Sequence, residues 1–297
     1  MDITRTKFYD WKDRYGQTNN HNGKIPKKHW STPDEIKAIE DYARSKIPIG
    51  SYFLKEGYRR LTYQMLDENI VAVSPSTVYR VLKKADLLNR WNTGRKGSKG
   101  TGYIQPENVH QEWHTDIKYV NFRGTFLFLI SVMDGCSRYI LHHELRTNMT
   151  ERDVEYTIQR TVEKYPGKQA RLISDNGSQY ISKDFKDFLK NTELTHIRTS
   201  VNYPQANGKI ERFHRSLGEE CLRKRSFINL EDARKQVSDY IDIYNCERLH
   251  SSLYFLTPED FLTGRVDEKL KVRESKLKAA KDKRNAHWAD RAKLRAS

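Results

Sequence analysis

The sequence predicts an α/β fold, a mixed five-stranded sheet flanked by helices, preceded by a small all-α helix-turn-helix module. Three observations carry this. Three strand-like runs, Glu112–Val120, Thr125–Met133 and Arg138–Leu145, follow one another across short turns at Asn121–Gly124 and Asp134–Ser137, the pattern of an antiparallel meander. After them, helical spacing (Val154, Ile158, Val162; then Phe185, Phe188, Leu189) alternates with short strands at Arg171–Ser174 and His196–Thr199. Before residue 90 only helical spacing and helix-capping residues recur.

Taken in order, residues 1–30 form a basic N-terminal segment with a helix-compatible piece, Arg5–Tyr15, and a polar loop. Residues 31–89 make the helical module. Thr32-Pro33-Asp34-Glu35 is a capping-box start, and Ile36, Ile39 and Ala43 give the first helix its apolar face. Tyr58–Glu68 is the second helix, with Leu61, Met65 and Leu66 inward, and Asn69–Val73 is the turn. Ser74-Pro75 caps the third, which buries Val78, Val81 and Leu82 and leaves Arg80, Lys83 and Lys84 outside. Two short helices across a tight turn with a basic outer face are either a DNA-binding helix-turn-helix or a small helical brace with a solvated basic face. Residues 90–106 are a basic, Gly-rich linker. Residues 107–264 form the core. Residues 265–297 shift to Lys, Arg and Ala, a basic helical tail that is either a solvated helix or a phosphate-binding arm.

Within the core, the order of three antiparallel strands followed by alternating helix and strand is that of a ribonuclease-H-like fold, in which the first and fourth strands are neighbours. Asp116 sits in the first strand, and Asp175 follows directly on the fourth. Asp175-Asn176-Gly177 is strong turn chemistry, since Asn and Gly tolerate positive φ and Asp can bond its own backbone. Downstream, Pro204 stands where a helix can begin, and Ile210, Phe213, Leu217 and Cys221 recur at helical spacing. Glu211 lies beside that stripe with His214, Arg215 and Gly218 on its own side. Three carboxylates on two strands and one helix are what a pair of hard divalent cations needs. His114 alternates with Asp116 and is either a cleft residue or ordinary packing; His142 and His143 are structural.

WHTDIKYV, LISDNGSQY and YPQANGKIERFHRSL resemble the three catalytic blocks of integrase-type DDE transposases of bacterial insertion sequences, a retroviral-integrase-like core of the second-reading-frame type. The resemblance runs over roughly residues 50–262. It implies Asp116, Asp175 and Glu211 as catalytic metal ligands for two Mg2+ ions, with Mn2+ as a substitute. It implies Lys209, Arg212, His214 and Arg215, beside Arg80, Lys83 and Lys84, as DNA contacts, and His114, Asn176 and Gly177 at the site's periphery. The partners it implies are double-stranded DNA (terminal repeats and target), a homo-oligomer on that DNA, and the product of an upstream overlapping frame. Two alternatives remain in view: a nuclease that only hydrolyses, and a non-catalytic DNA-binding repressor. Tyr244-Asn245, Arg248, His250-Ser251 and Thr257-Pro258 resemble the family's closing motif, with Leu249 where proline is common. Gly218 stands seven residues after Glu211, where the family carries Lys or Arg.

Bulk composition agrees with a polyanionic partner. Lys and Arg outnumber Asp and Glu by 54 to 39 in 297 residues, a formal charge of +15. No apolar run is long enough for a membrane span, so nucleic acid is the better partner and a bacterial cytoplasm, at the nucleoid, the expected setting. Cys136, Cys221 and Cys246 are scattered and form no C-x-x-C pair, which argues against a disulfide framework and against a zinc cluster.

Overall fold

The computed structural model describes residues 3–13, 15, 27, 29–47, 56–88, 105–198, 207–224 and 226–296. They fall into two compact units, one of residues 1–90 with 272–297 and one of residues 91–271. The linker expected at residues 90–106, save its last two residues, and the helix start at Pro204 lie outside the described residues.

In the first unit, α1 (Arg5–Asp13) buries no side chain. Helix α2 (Pro33–Ser45) begins with the capping box: Glu35 N donates to Thr32 Oγ1 and Thr32 N to Glu35 Oε2. Its inner face is Ile39 and Ala43, whereas Ile36, expected inside, is 38% exposed because it lies to one side of the stripe those two define. Helices α3 (Tyr58–Asp67) and α4 (Pro75–Lys84) follow. The turn between them is closed by Asn69 at φ 60°, a left-handed position that Asn tolerates. Leu61, Met65, Val71, Val73, Val78, Val81 and Leu82 close over Ile39 and Ala43 to make one core.

The C-terminal helix α11 (Val266–Ala296) carries few apolar residues, and over its part in this unit it packs on the helical module, contrary to a solvated tail. Arg273 is 4% exposed and grips Asp67 through Nε–Oδ1 at 2.8 Å and Nη2–Oδ2 at 2.6 Å. Lys276 Nζ donates to the carbonyls of Leu66 and Asp67, satisfying the open end of α3. Arg284 donates to Glu35 Oε1 and to Ala72 O in the turn, and Trp288 Nε1 to Trp30 O. The cations that made this segment look solvated are the groups that dock it.

The second unit is built on a five-stranded sheet in the order β3-β2-β1-β4-β5. The strands are β1 (Glu112–Phe122), β2 (Thr125–Asp134), β3 (Ile140–Arg146), β4 (Arg171–Ser174) and β5 (Thr195–Arg198). The first three pair antiparallel, while β4 joins β1 and β5 joins β4 in parallel. This is the ribonuclease-H-like order. β3 starts two residues later than the apolar pattern suggests, because Arg138 takes φ 65° and is spent on the turn. One face of the sheet carries α5 (Glu151–Lys164), α6 (Ser178–Ile181) and α7 (Lys183–Lys190) over Trp113, Ile130, Val132 and Leu172. The other carries α8 (Gly208–Glu220) and α9 (Leu230–Cys246) over Val120, Leu127, Leu129 and Met133. A short α10 (Pro258–Leu262) closes the unit behind its own capping box at Thr257 and Asp260.

β3 is an edge strand, and its open side is covered. The Asn245 amide bonds both the N–H and the C=O of Ile140. Lys164 reaches Leu141 O, and Arg234 reaches Leu145 O. An edge so occupied is a poor template for strand addition.

Candidate active site

Asp116 is held in the middle of β1, where Oδ1 accepts from Ile117 N at 2.9 Å. Asp175 follows the last residue of β4, and its Oδ1 accepts from Gly177 N at 2.9 Å, a local turn that fixes the carboxylate. The β1–β4 register runs from Glu112 beside Arg171 to His114 beside Ile173. Carried two residues further, it brings Asp175 beside Asp116. Tyr180 on α6 lies beneath both. Its buried hydroxyl is 3.2 Å from Thr115 Oγ1, and its acidity is weakened by burial first, with the charges of Asp116 and Asp175 adding.

Gly177 earns its place differently from the expectation. It takes φ −56°, well inside the ordinary region, and Asn176 is not at positive φ either. A Cβ on Gly177, however, would meet Asp175 Oδ1 at 3.0 Å and Gln179 Oε1 at 3.1 Å. The requirement is for space beside the carboxylate.

Glu211 is exposed near the start of α8, whose stripe of Ile210, Phe213, Leu217 and Cys221 is buried against the sheet as its spacing predicts. His214, expected as a phosphate contact, is turned inward: it is 5% exposed and its Nδ1 stands 3.2 Å from Asp116 Oδ2. One helical turn separates it from Glu211, so this contact ties the glutamate's helix to the strand of Asp116.

Lys209, also expected on the DNA face, is turned inward too. Its ammonium donates to Gly135 O, in the β2–β3 turn, at 2.8 Å. Its pKa is pulled down to about 7, by burial first and then by Arg138, against the pull of Glu112 and Asp134. His114 lies behind Asp116 and is fully buried, its pKa pushed down to about 3 by burial and then by Lys209 and Arg138. It is a neutral packing group: a Cβ on Gly135 would stand 2.8 Å from its Nε2. Arg212 and Arg215 are exposed on α8, Arg215 one turn after Glu211, and Arg80, Lys83 and Lys84 are exposed on α4 in the other unit.

Two clusters escaped sequence reasoning. Tyr180 was visible only as the last letter of the Asp175 block. Glu220 and Arg248 form the other: Arg248 donates through Nη2 to Glu220 Oε1 at 2.8 Å and through Nε to Oε2 at 3.0 Å, and Nη2 reaches Ser216 Oγ. Tyr240 donates to the same glutamate. This bundle clamps the end of α8 to α9 and the segment after it. The signal was Arg248 in the closing motif, whose partner lies 28 residues upstream.

Among the described residues no group of three or more His, Cys, Asp or Glu side chains is gathered closely enough to hold a metal ion. The donor chemistry nonetheless fits a hard divalent cation: one carboxylate on β1 and one just after the neighbouring β4, each steadied through one oxygen by a backbone N–H, with a third on the helix packed over β1.

An integrase core domain family model matches residues 106–204, and a second of the same description matches 192–258. A protein of Spiroplasma virus SpV1-C74 named as an integrase is 36% identical over 106 residues, which are 32% of this chain and 29% of the viral protein. Transposase InsD of insertion element IS2 from Escherichia coli is 25% identical over 229 residues, 71% of this chain and 74% of InsD. Among solved structures, the HTLV-2 integrase catalytic core domain in complex with magnesium aligns with 52% of this chain and 98% of its own, at 14% identity and a TM-score of 0.42.

Proposed function

The chain belongs to the integrase-core family of insertion-sequence transposases, and from that premise we propose that Asp116, Asp175 and Glu211 form the site at which it cuts and joins the ends of its element. The observation that carries this reading is the parallel β1–β4 register, which continued past β4 sets Asp175 near Asp116, under a helix that bears Glu211 and is tied to Asp116 by His214.

These three carboxylates would hold divalent cations, magnesium in preference and manganese as a substitute. When bound, such ions neutralise phosphate charge and lower the cost of forming an oxygen nucleophile. The chain's own residues do the positioning. His214 orients one oxygen of Asp116, the Asp175 turn fixes the second carboxylate, and Arg212 and Arg215 offer charge to a phosphate backbone along α8. In the first reaction a water oxygen bonds to phosphorus and the 3′-oxygen of the element end leaves as a hydroxyl. In the second, that hydroxyl attacks a target phosphodiester and displaces a target 3′-oxygen. Each step exchanges one P–O bond for another, so positioning and charge suffice without a covalent enzyme intermediate.

Terminal repeats and target are the proposed substrates, and two ends imply at least two copies of the chain on DNA. The helical module would recognise the repeat. An upstream overlapping frame would supply further DNA-binding sequence.

The test is Asp175→Asn in the full chain, with duplex oligonucleotides carrying a terminal repeat and magnesium. Cleavage and joining are both expected to vanish. Asn keeps an oxygen for the Gly177 N–H, so folding should persist, with Tm equal or higher once a negative charge beside Asp116 is gone. Strand transfer by this variant would remove Asp175 from the site. Wild-type cleavage without joined product would make the protein a hydrolytic nuclease.

A further inference from the structure

The basic face of α4 holds two kinds of cation, and the geometry separates them. Arg80 leans back along its helix: Nε lies 3.4 Å from Ser76 O, and Nη2 lies 3.3 Å from Thr77 Oγ1. Long helical side chains favour that direction. Thr77 is itself held, with Oγ1 3.1 Å from Ser74 Oγ, and Ser74 Oγ is 2.9 Å from Ser76 Oγ. Three hydroxyls thus gather at the first turn of α4, and the guanidinium is drawn up beside them. With the Nε–Nη2 edge facing these groups, the outer Nη1–Nη2 edge faces away from them.

The first turn of the second helix is the part of a helix-turn-helix that meets base edges. A planar fork held there matches two adjacent acceptors. Guanine, with O6 and N7, is the base that offers such a pair in the major groove. Lys83 and Lys84 sit a turn further along, in the last turn of α4. Lys83 Nζ lies 6.0 Å above the Tyr79 ring, and Tyr79 packs against Tyr58 at 5.2 Å, with Arg59 over the far ring. A point charge on a flexible stem is suited to a phosphate, and no fork is presented.

We propose that Arg80 reads a guanine in the element end, while Lys83 and Lys84 bind phosphates. This rests on the helical module being the end-binding part of the chain.

The experiment selects binding sites from a randomised duplex library with the full chain, then with Arg80→Ala, Arg80→Lys and the double variant Lys83→Ala/Lys84→Ala. Wild type should select a motif with a fixed G·C pair. Both Arg80 variants should relax that one position, lowering discrimination there by roughly 5- to 150-fold, the range of one good bidentate base contact. The double lysine variant should keep the motif, weaken every sequence alike, and lower the log-affinity against log-salt slope by about 2. If the motif survives Arg80→Ala and the slope falls by about 1 instead, Arg80 is a phosphate contact and the assignment is wrong. If the wild-type chain selects no motif at all, the reading of the module as the end-binding part fails with it.

Discussion

Gly218 occupies an interior position of α8 with no neighbour within 4 Å of where a Cβ would stand. The bare backbone therefore serves no packing need, and Gly in a helix interior costs about 0.5–1 kcal/mol relative to a residue such as Lys. Gly218→Lys should raise stability by roughly that amount in a urea melt. It should also tighten binding to element-end duplexes if the exposed row of α8 follows DNA. Stability gained without affinity would leave Arg212 and Arg215 as sufficient. Residue by residue, the places of the three proposed carboxylates were legible because each has its own sequence signal: mid-strand, after a strand before Asn-Gly, and beside a helical apolar stripe. The inward turn of Lys209 and His214 was not. Helical spacing tells which row a side chain occupies, but whether that row meets solvent or a strand depends on the β2–β3 turn and β1, which pass beneath α8 from more than 70 residues upstream.

Among elements, α8 is the one whose placement the proposed chemistry depends on, and it is fastened at both ends. Lys209 ties its start to the β2–β3 turn, and the Arg248–Glu220 bundle ties its finish to α9. Arg248 is mostly buried, its side chain 12% exposed against 34% for Glu220. Arg248→Met keeps the apolar stem over Tyr244 and removes the donors. The expected loss is about 1–3 kcal/mol of stability, the range for hydrogen bonds to a charged group in a partly buried site. Strand transfer should fall more than DNA binding does, since the exposed cations are untouched. Equal falls would make the bundle a plain packing element. Strands and helices themselves were mostly legible from periodicity and caps. The exceptions are local: Arg138 at positive φ shortens β3, and the single turn of α6 is too short to show a period.

At the scale of the molecule, the excess of positive charge is divided between uses. Some cations face solvent, as on α4 and α8, and others are spent inside, as Arg273, Lys276 and Arg284 are against Asp67, Glu35 and backbone carbonyls. Composition could not separate these, which is why α11 read as a tail. Arg273→Met should lower the stability of the first unit by about 1–3 kcal/mol. Hydrogen exchange of α3 and the turn at Asn69–Val73 should speed up in step, while β1 and β2 stay protected; unchanged exchange in α3 would make α11 a passenger. The pairing of Arg273 with Asp67 spans 206 residues of chain. That separation has a temporal meaning. A ribosome adding about 5–20 residues per second has α2, α3 and α4 in hand roughly 10–40 s before it makes the arginine that closes over them. For that interval the module exists without its clasp, and in a nascent chain still being made the turn before α4 is unsupported.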